Sequence, residues 1–319
     1  MLYHYRYVQL LERKKPFVFF AKGSMIGECL DAIAAKRLNP KAPHWSTALE
    51  KYRKQYGKLF DQEREYYGDP IGEAKRIVER YERIYANDGF TYLLGKDGKP
   101  YELTGEVILA PGIVFTFHMD KYPKDKQGRI WVMDHKAYKK IPDPEDRFTA
   151  LQLVFYFWAA PLVGYPQPTG VLWDYLRTKP PAIPPELKRG GLSQAKDMDT
   201  DYETYLAEVK RLKLPEKEYA ATLKRLKARG SMDFYQRVFL PAPSKGLIEN
   251  VVHEARQTAL EIQQLGHTSK VRSIDRTCSG CEFYSLCQTE YRGLDANFVR
   301  KSEYQPQKEP RHDHRKEEE

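Results

Sequence analysis

Apolar positions along the chain fall into two textures, one at helical spacing and one of short β-rich runs. The opening YHYRYVQLLERKK is basic and aromatic and predicts a helix. From Ser24 to Arg37, Ile26, Leu30, Ile33 and Ala34 recur at helical spacing and predict a second, ended near Pro40 and Pro43. Trp45–Glu65 and Pro70–Ala86 predict two more, each charged enough to keep one face wet. From Gly89 the runs TYLLG, YELTGEVILAPG, IVFTFHMDKY and RIWVMDHKAY read as strands. The turn KDKQG, Lys124–Gly128, predicts a hairpin that presents Asp120 and Asp134 on adjacent strands.

DRFTALQLVFYFWAAPLVG reads as a buried helix and GVLWDYLRTKPP as a strand with a basic exit. After a Pro/Gly-rich loop at 181–200, charged helices are expected at Asp201–Leu214 and Glu216–Arg229. A short strand at FYQRVFLPAP and a long helix at Lys245–Leu265 follow. Residues 298–319 have too little apolar content to pack and are expected as a disordered charged tail. The rest, 1–297, reads as a single domain without repeats, its cysteine cluster at 278–287 included.

A chain of 319 residues suffices for one large core with a helical annex. Its 41% hydrophobic, 30% charged and 13% aromatic residues exclude a wholly disordered chain. The formal net charge of +9, from 53 Lys and Arg against 44 Asp and Glu, favours a polyanionic partner. No run approaches the roughly 18 apolar residues of a membrane span, and the opening lacks the features of a signal peptide. A soluble protein of the cytoplasm is expected, or of the host cytoplasm if the source is viral.

The candidate chemistry begins in WVMDHKAYKK. On a strand Asp134 and Lys136 share one face and His135 takes the other. With Asp120 alongside, two carboxylates and an ammonium converge at a sheet edge. Carboxylate oxygens suit Mg2+ or Mn2+, which offsets their repulsion and activates water. Lys136 can orient that water or stabilise charge on a phosphate. By itself D-x-K is more often the solvated end of a strand. CSGCEFYSLC sets Cys278, Cys281 and Cys287 within ten residues, soft ligands for zinc or iron–sulfur. Cys29 reads as a buried small hydrophobe.

The order of these segments resembles the PD-(D/E)XK nuclease superfamily, in its branch of RecB-type nucleases, CRISPR-associated spacer-acquisition nucleases and phage exonucleases. GSMIGECLD stands where that family has G-x-x-x-H-x-x-L/E, FHMD where it has G-x-x-D, Asp134–Lys136 where it has D-x-K. QLVFY, with Gln152 and Tyr156 one helical turn apart, stands for its Q-L-x-x-Y. FYQRVFL, with Arg237, looks like its late strand.

The resemblance implies an α/β, restriction-endonuclease-like core, a central mixed sheet flanked by helices. It implies a site of Asp120, Asp134, Lys136, Gln152, Tyr156 and Glu28, with Mg2+ or Mn2+ on the two aspartates. The implied activity is metal-dependent DNA hydrolysis of little sequence specificity, exonuclease in type, alongside a helicase or recombination protein. The alternative is a nuclease-fold DNA-binding or protein-interaction module with weak or lost chemistry.

Two departures narrow the expectation. Gly27 stands at the family's first-helix histidine and Phe117 at its glycine before Asp120. Metal binding is then expected to rest on Asp120, Asp134 and a backbone carbonyl of Val132 or His135. The cysteines resemble a tail that joins an N-terminal cysteine around a [4Fe-4S] cluster, and no cysteine precedes YHYRYV here. A chain that starts late, a fourth ligand such as His4, or a vestigial site would each account for this, the first being favoured. Arg13-Lys14-Lys15, Lys139-Lys140, Arg177 with Lys179, and Lys188-Arg189 supply positive charge around the sheet edge. Such runs are more often solvated faces, and only those near Asp134 carry weight as phosphate contacts. Tyr138 can stack on an unpaired base, although an aromatic at a strand end is more often packed. No G-x-x-x-x-G-K-[ST] is present, so unwinding would come from a partner.

Overall fold

The computed structural model describes residues 4–14, 18–57, 59–143, 151–230, 233–265, 272, 278 and 280–307. The chain forms two compact units, 1–21 with 255–319, and 22–254. In chain order the elements begin β1 (Leu11–Arg13), α1 (Val18–Leu38), α2 (Ala48–Tyr56), α3 (Asp61–Tyr67) and α4 (Pro70–Ile84). Next come β2 (Thr91–Tyr92), β3 (Leu103–Ala110), β4 (Ile113–Met119), β5 (Pro123–Lys124), β6 (Trp131–Tyr138), α5 (Leu151–Leu162) and β7 (Gly170–Arg177). The last are α6 (Tyr202–Arg211), α7 (Ala220–Arg229), β8 (Tyr235–Pro241), α8 (Lys245–Leu265), α9 (Tyr284–Tyr291), α10 (Ala296–Glu303) and β9 (Tyr304–Pro306).

In the larger unit β6 and β7 run parallel and β8 returns antiparallel beside β7. Antiparallel bridges Lys121–Met133 and Lys124–Ile130 attach the chain after the β3–β4 hairpin to β6, so the sheet is mixed. β7 is buried from Gly170 to Leu176 because both its faces are covered. Val132, Val171, Trp173 and Tyr175 pack with Leu153, Tyr156 and Phe157 of α5. On the other face Met133 and Leu172 pack with Ala34 of α1. α4 starts on an Asp69 cap, whose Oδ1 accepts from Gly72 N–H at 2.8 Å, with Pro70 in its first turn. Its Ile71, Ala74, Ile77, Val78 and Tyr81 form the buried stripe. Gly170 has to be glycine, since a Cβ there would lie 2.3 Å from the Leu240 carbonyl oxygen. α6 and α7 form a satellite core around Tyr205, Val209, Leu223 and Leu226.

Three expectations are corrected. The opening segment is not a helix but a single π turn, His4–Val8, followed by β1. Leu10, at φ +50°, leaves helical space, and β1 finds its partner in β9. Trp45–Glu65 is broken into a 3-10 turn at Trp45–Thr47, α2 and α3, because Gly57 caps α2. The expected tail does not begin at 298: Asp295 Oδ1 caps α10 through Asn297 N–H at 2.9 Å, and Tyr304 is buried against Phe283. Residues 308–319 lie outside the described residues. In this smaller unit Tyr5 packs on Phe283 and its hydroxyl donates to Glu290 Oε2 at 2.6 Å. Among the described residues no helix is long and apolar enough to cross a membrane.

Candidate active site

The Lys121–Met133 bridge sets Asp120 directly opposite Asp134, as the hairpin reading requires. Asp120 follows the last residue of β4, and Asp134 sits mid-strand in β6, only 1% exposed. The His135 backbone N–H donates to Asp120 Oδ2 at 2.7 Å. Burial, then the Asp120 charge, pushes the Asp134 carboxyl up to about 7, while Lys136 draws it down. The Lys136 ammonium pairs with Asp134 Oδ2 at 2.7 Å.

Lys136 also donates to Gln152 Oε1 at 2.8 Å, and Gln152 Nε2 donates to the Tyr156 hydroxyl at 2.6 Å. Asp134, Lys136, Gln152 and Tyr156 thus form one chain from β6 to α5. Burial pushes the Tyr156 phenol up to about 12. The i,i+4 spacing on α5 is what aligns Gln152 with its hydroxyl.

On the reverse face of β6 lies a buried polar relay that periodicity did not suggest. Lys121, 1% exposed, donates to Asp31 Oδ1 at 2.9 Å, and its Nζ is 2.8 Å from His135 Nε2. Burial opposes the Lys121 charge, but Asp31 and Asp120 hold its pKa above the ordinary value. An ammonium only donates, so His135 Nε2 accepts and the Nδ1–H faces Asp174 Oδ2, 2.9 Å away. Asp174 also accepts from the Tyr81 hydroxyl and pairs with Arg237 at 3.4 Å. Burial alone would raise Asp174; Arg237 and His135 hold it below the ordinary range. Arg237 continues to Asp88 at 2.9 Å and stacks 3.8 Å from the Tyr85 ring centroid.

The other expected residues are placed as follows. Glu28, on α1, accepts from Lys51 and Tyr52. Glu102 was missed by sequence reasoning: burial, then Asp31, with Asp120 and Glu28 adding, raises its carboxyl, and its N–H donates to the Asp120 carbonyl at 3.0 Å. Its positive φ of 50° left no periodic signal. Gly27 is open, a Cβ meeting nothing within 4 Å. Phe117 pairs with Gly105 across the hairpin and its ring covers that residue, so the small residue has moved to the facing strand. In the smaller unit Cys281 and Cys287 pack beside Tyr5 and Phe283. Burial raises the Cys281 thiol, with Cys287 and Cys278 near enough to add to it.

Among the described residues no group of three or more His, Cys, Asp or Glu is placed to hold a metal, at the cysteines or elsewhere. Among the described residues nothing supports a four-iron site at the cysteines. Asp120 and Asp134 do fit a hard divalent cation. They face one another across the Lys121–Met133 bridge, and burial with the Asp120 charge raises the cost of charging Asp134, a cost that a cation offsets. Mg2+ commonly takes only one or two carboxylates and keeps several waters.

Residues 2–288 match the family described as the PD-(D/E)XK nuclease superfamily, and the chain belongs to it. A search of the curated proteins finds no match. Five chains of solved structures match. One, the crystal structure of SSO0001, is 11% identical, covers 85% of this chain and 95% of its own, and has a TM-score of 0.34, a likeness that carries no argument about activity.

Proposed function

For a member of this superfamily with Asp120, Asp134 and Lys136 at one sheet end, we propose a DNA-binding protein whose site retains the parts for phosphodiester hydrolysis with Mg2+ or Mn2+. The observation that carries the reading is the linked series Asp134, Lys136, Gln152, Tyr156, with Asp120 held opposite it by the His135 N–H. The two aspartates would hold the cation, which when bound supplies charge neutralisation and a more acidic water. Lys136, between a carboxylate and an amide, is held where it can meet the charge developing on a phosphate. Gln152 fixes the lysine's second direction and Tyr156 fixes the glutamine. The RecB-like, exonuclease-type branch is part of this reading, supported by the Gln152–Tyr156 pair reaching Lys136.

A second reading keeps the fold and the DNA and drops the turnover. Gly27 offers no ligand, and the described residues provide no third one. That ligand count favours a module in which hydrolysis is weak or absent over a vigorous exonuclease. Incubation with linear single-stranded, linear duplex and circular DNA, in Mg2+, Mn2+ or EDTA, separates the two. Binding in every buffer with slow, Mn2+-dependent loss of linear DNA, abolished by Asp134→Ala, supports the first. Binding without any cleavage supports the second. Cleavage that Asp134→Ala leaves intact contradicts the site, and no DNA binding at all contradicts both readings.

A further inference from the structure

At the site, the edge of β6 is held by side chains rather than by a strand ladder. Lys121 and Met133 exchange both backbone hydrogen bonds, at 3.2 and 3.0 Å. In a continued antiparallel ladder the next bonded pair would be Met119 with His135. Met119 is paired with Leu103 of β3, and the His135 N–H goes instead to Asp120 Oδ2 at 2.7 Å. That bond keeps Asp120 facing Asp134 against their repulsion, and it is only as well placed as residue 135 itself.

The His135 side chain points to the other face of β6, where it is 7% exposed. Its Nε2 lies 2.8 Å from the Lys121 ammonium and its Nδ1 lies 2.9 Å from Asp174 Oδ2. Both neighbours are anchored in turn. Lys121, in the segment after β4, binds Asp31 of α1 at 2.9 Å. Asp174 is the register partner of His135 on β7, fully buried, and accepts from the Tyr81 hydroxyl of α4. The ring thus ties both chain segments that flank β6, and through them α1 and α4, to the residue whose N–H holds Asp120. An imidazole that accepts at Nε2 and donates from Nδ1 has one orientation that serves both neighbours. Stability alone does not call for such a network, since buried charges exchanged for apolar groups of similar volume often cost nothing.

We infer that the His135 imidazole is a positioning residue for the metal site: locked between Lys121 and Asp174, it sets the backbone N–H that aims Asp120 at the cation. It acts through main chain and touches neither cation nor substrate. This rests on the reading of Asp120 and Asp134 as the cation's ligands and deepens it. With glycine at position 27, the alignment of those two carboxylates carries a larger share of the binding.

Partial replacements separate the ring's two contacts. His135→Gln sets an amide oxygen near the Nε2 position and can still accept from Lys121. His135→Asn sets an amide N–H near the Nδ1 position and can still donate to Asp174. His135→Leu keeps bulk and loses both. The first readout needs no metal: amide hydrogen exchange of β6 in EDTA, resolved to residue 135. Asp120→Ala removes the acceptor and should speed exchange at that amide by about ten-fold or more. His135→Leu should match it, with the Gln and Asn variants between it and wild type. The second readout is calorimetric titration of Mn2+ at about pH 8, in which His135→Leu should bind about ten-fold or more weakly, the range for outer-shell partners, and the amide variants should lose less.

The inference is overturned if His135→Leu keeps either exchange at residue 135 or Mn2+ affinity within about two-fold of wild type. Should the leucine variant not fold, the same criterion applies to the two amide variants together. Equal losses in all three variants also overturn it, because the ring's two contacts are then not what counts. Wild type that binds no Mn2+ sinks the cation reading of Asp120 and Asp134, and the exchange comparison in EDTA still decides whether His135 positions Asp120.

Discussion

The His135 backbone N–H holds Asp120 Oδ2 at 2.7 Å, so the residue between Asp134 and Lys136 fixes the facing carboxylate through main chain alone. Two carboxylates are thereby kept close without metal, and one of them is buried. The folded Asp134 carboxyl, at about 7, keeps a proton between roughly pH 4 and 7 that the unfolded chain has lost. Metal-free stability should therefore fall as pH rises through that window, by up to something on the order of 4 kcal/mol. In EDTA, Asp134→Asn should melt several degrees above wild type at pH 8 and close to it at pH 5. An offset equal at both pH values would contradict the buried, like-charge environment.

Lys136 touches Asp134 and Gln152 but stands outside the proposed ligand set. Lys136→Ala should retain Mn2+ and lose single-turnover cleavage by about 100-fold or more. Turnover within about two-fold of wild type would remove the lysine from the chemistry.

Gly27 lies one helical turn before Asp31, the residue that grips Lys121 beside Asp120, and has open space around it. A histidine there should add a ligand. Gly27→His is expected to tighten Mn2+ by about ten-fold, roughly 1.4 kcal/mol, and to raise any cleavage rate. Replacing a helical glycine should also add about 0.5–1 kcal/mol of stability. Gly27→Ala, which shares only the stability gain, is the control. Identical Mn2+ affinity in the two variants would count against a ligand position.

Arg237 is nearly enclosed between Asp174, Asp88 and Tyr85. Arg237→Met removes the buried cation the two aspartates share, leaving Asp88 to Arg37 and Asp174 to Tyr81 and His135, and should cost about 3 kcal/mol in denaturant unfolding. A loss under about 1 kcal/mol would mean that the relay behind β6 does not hold the sheet together.

The larger unit was legible where local pattern and tertiary packing agree. β7 reads as a continuous apolar run because both its faces are covered, and Gln152 and Tyr156 were in register because α5 is regular. The Asp120–Asp134 pair followed from one turn, KDKQG, whose Asp125 carbonyl accepts from Gly128 N–H at 3.0 Å. What stayed hidden depends on partners far along the chain. β1 exists because Tyr304–Pro306 lies beside it, nearly 300 residues away in sequence. Nothing local marks Lys121; only the fold supplies Asp31 and His135. Glu102 carries no periodic signal that tells a site residue from a solvated charge.

The central claim is that Asp120 and Asp134 jointly hold one divalent cation, whether turnover is brisk, weak or absent. Calorimetric titration of Mn2+ into wild type, Asp120→Asn and Asp134→Asn at about pH 8, above the Asp134 titration near 7, tests it most directly. The account predicts a single Mn2+ per wild-type chain and loss of that binding in each variant, since a cation shared by two carboxylates needs both. Equal Mn2+ binding by wild type and either variant would contradict it.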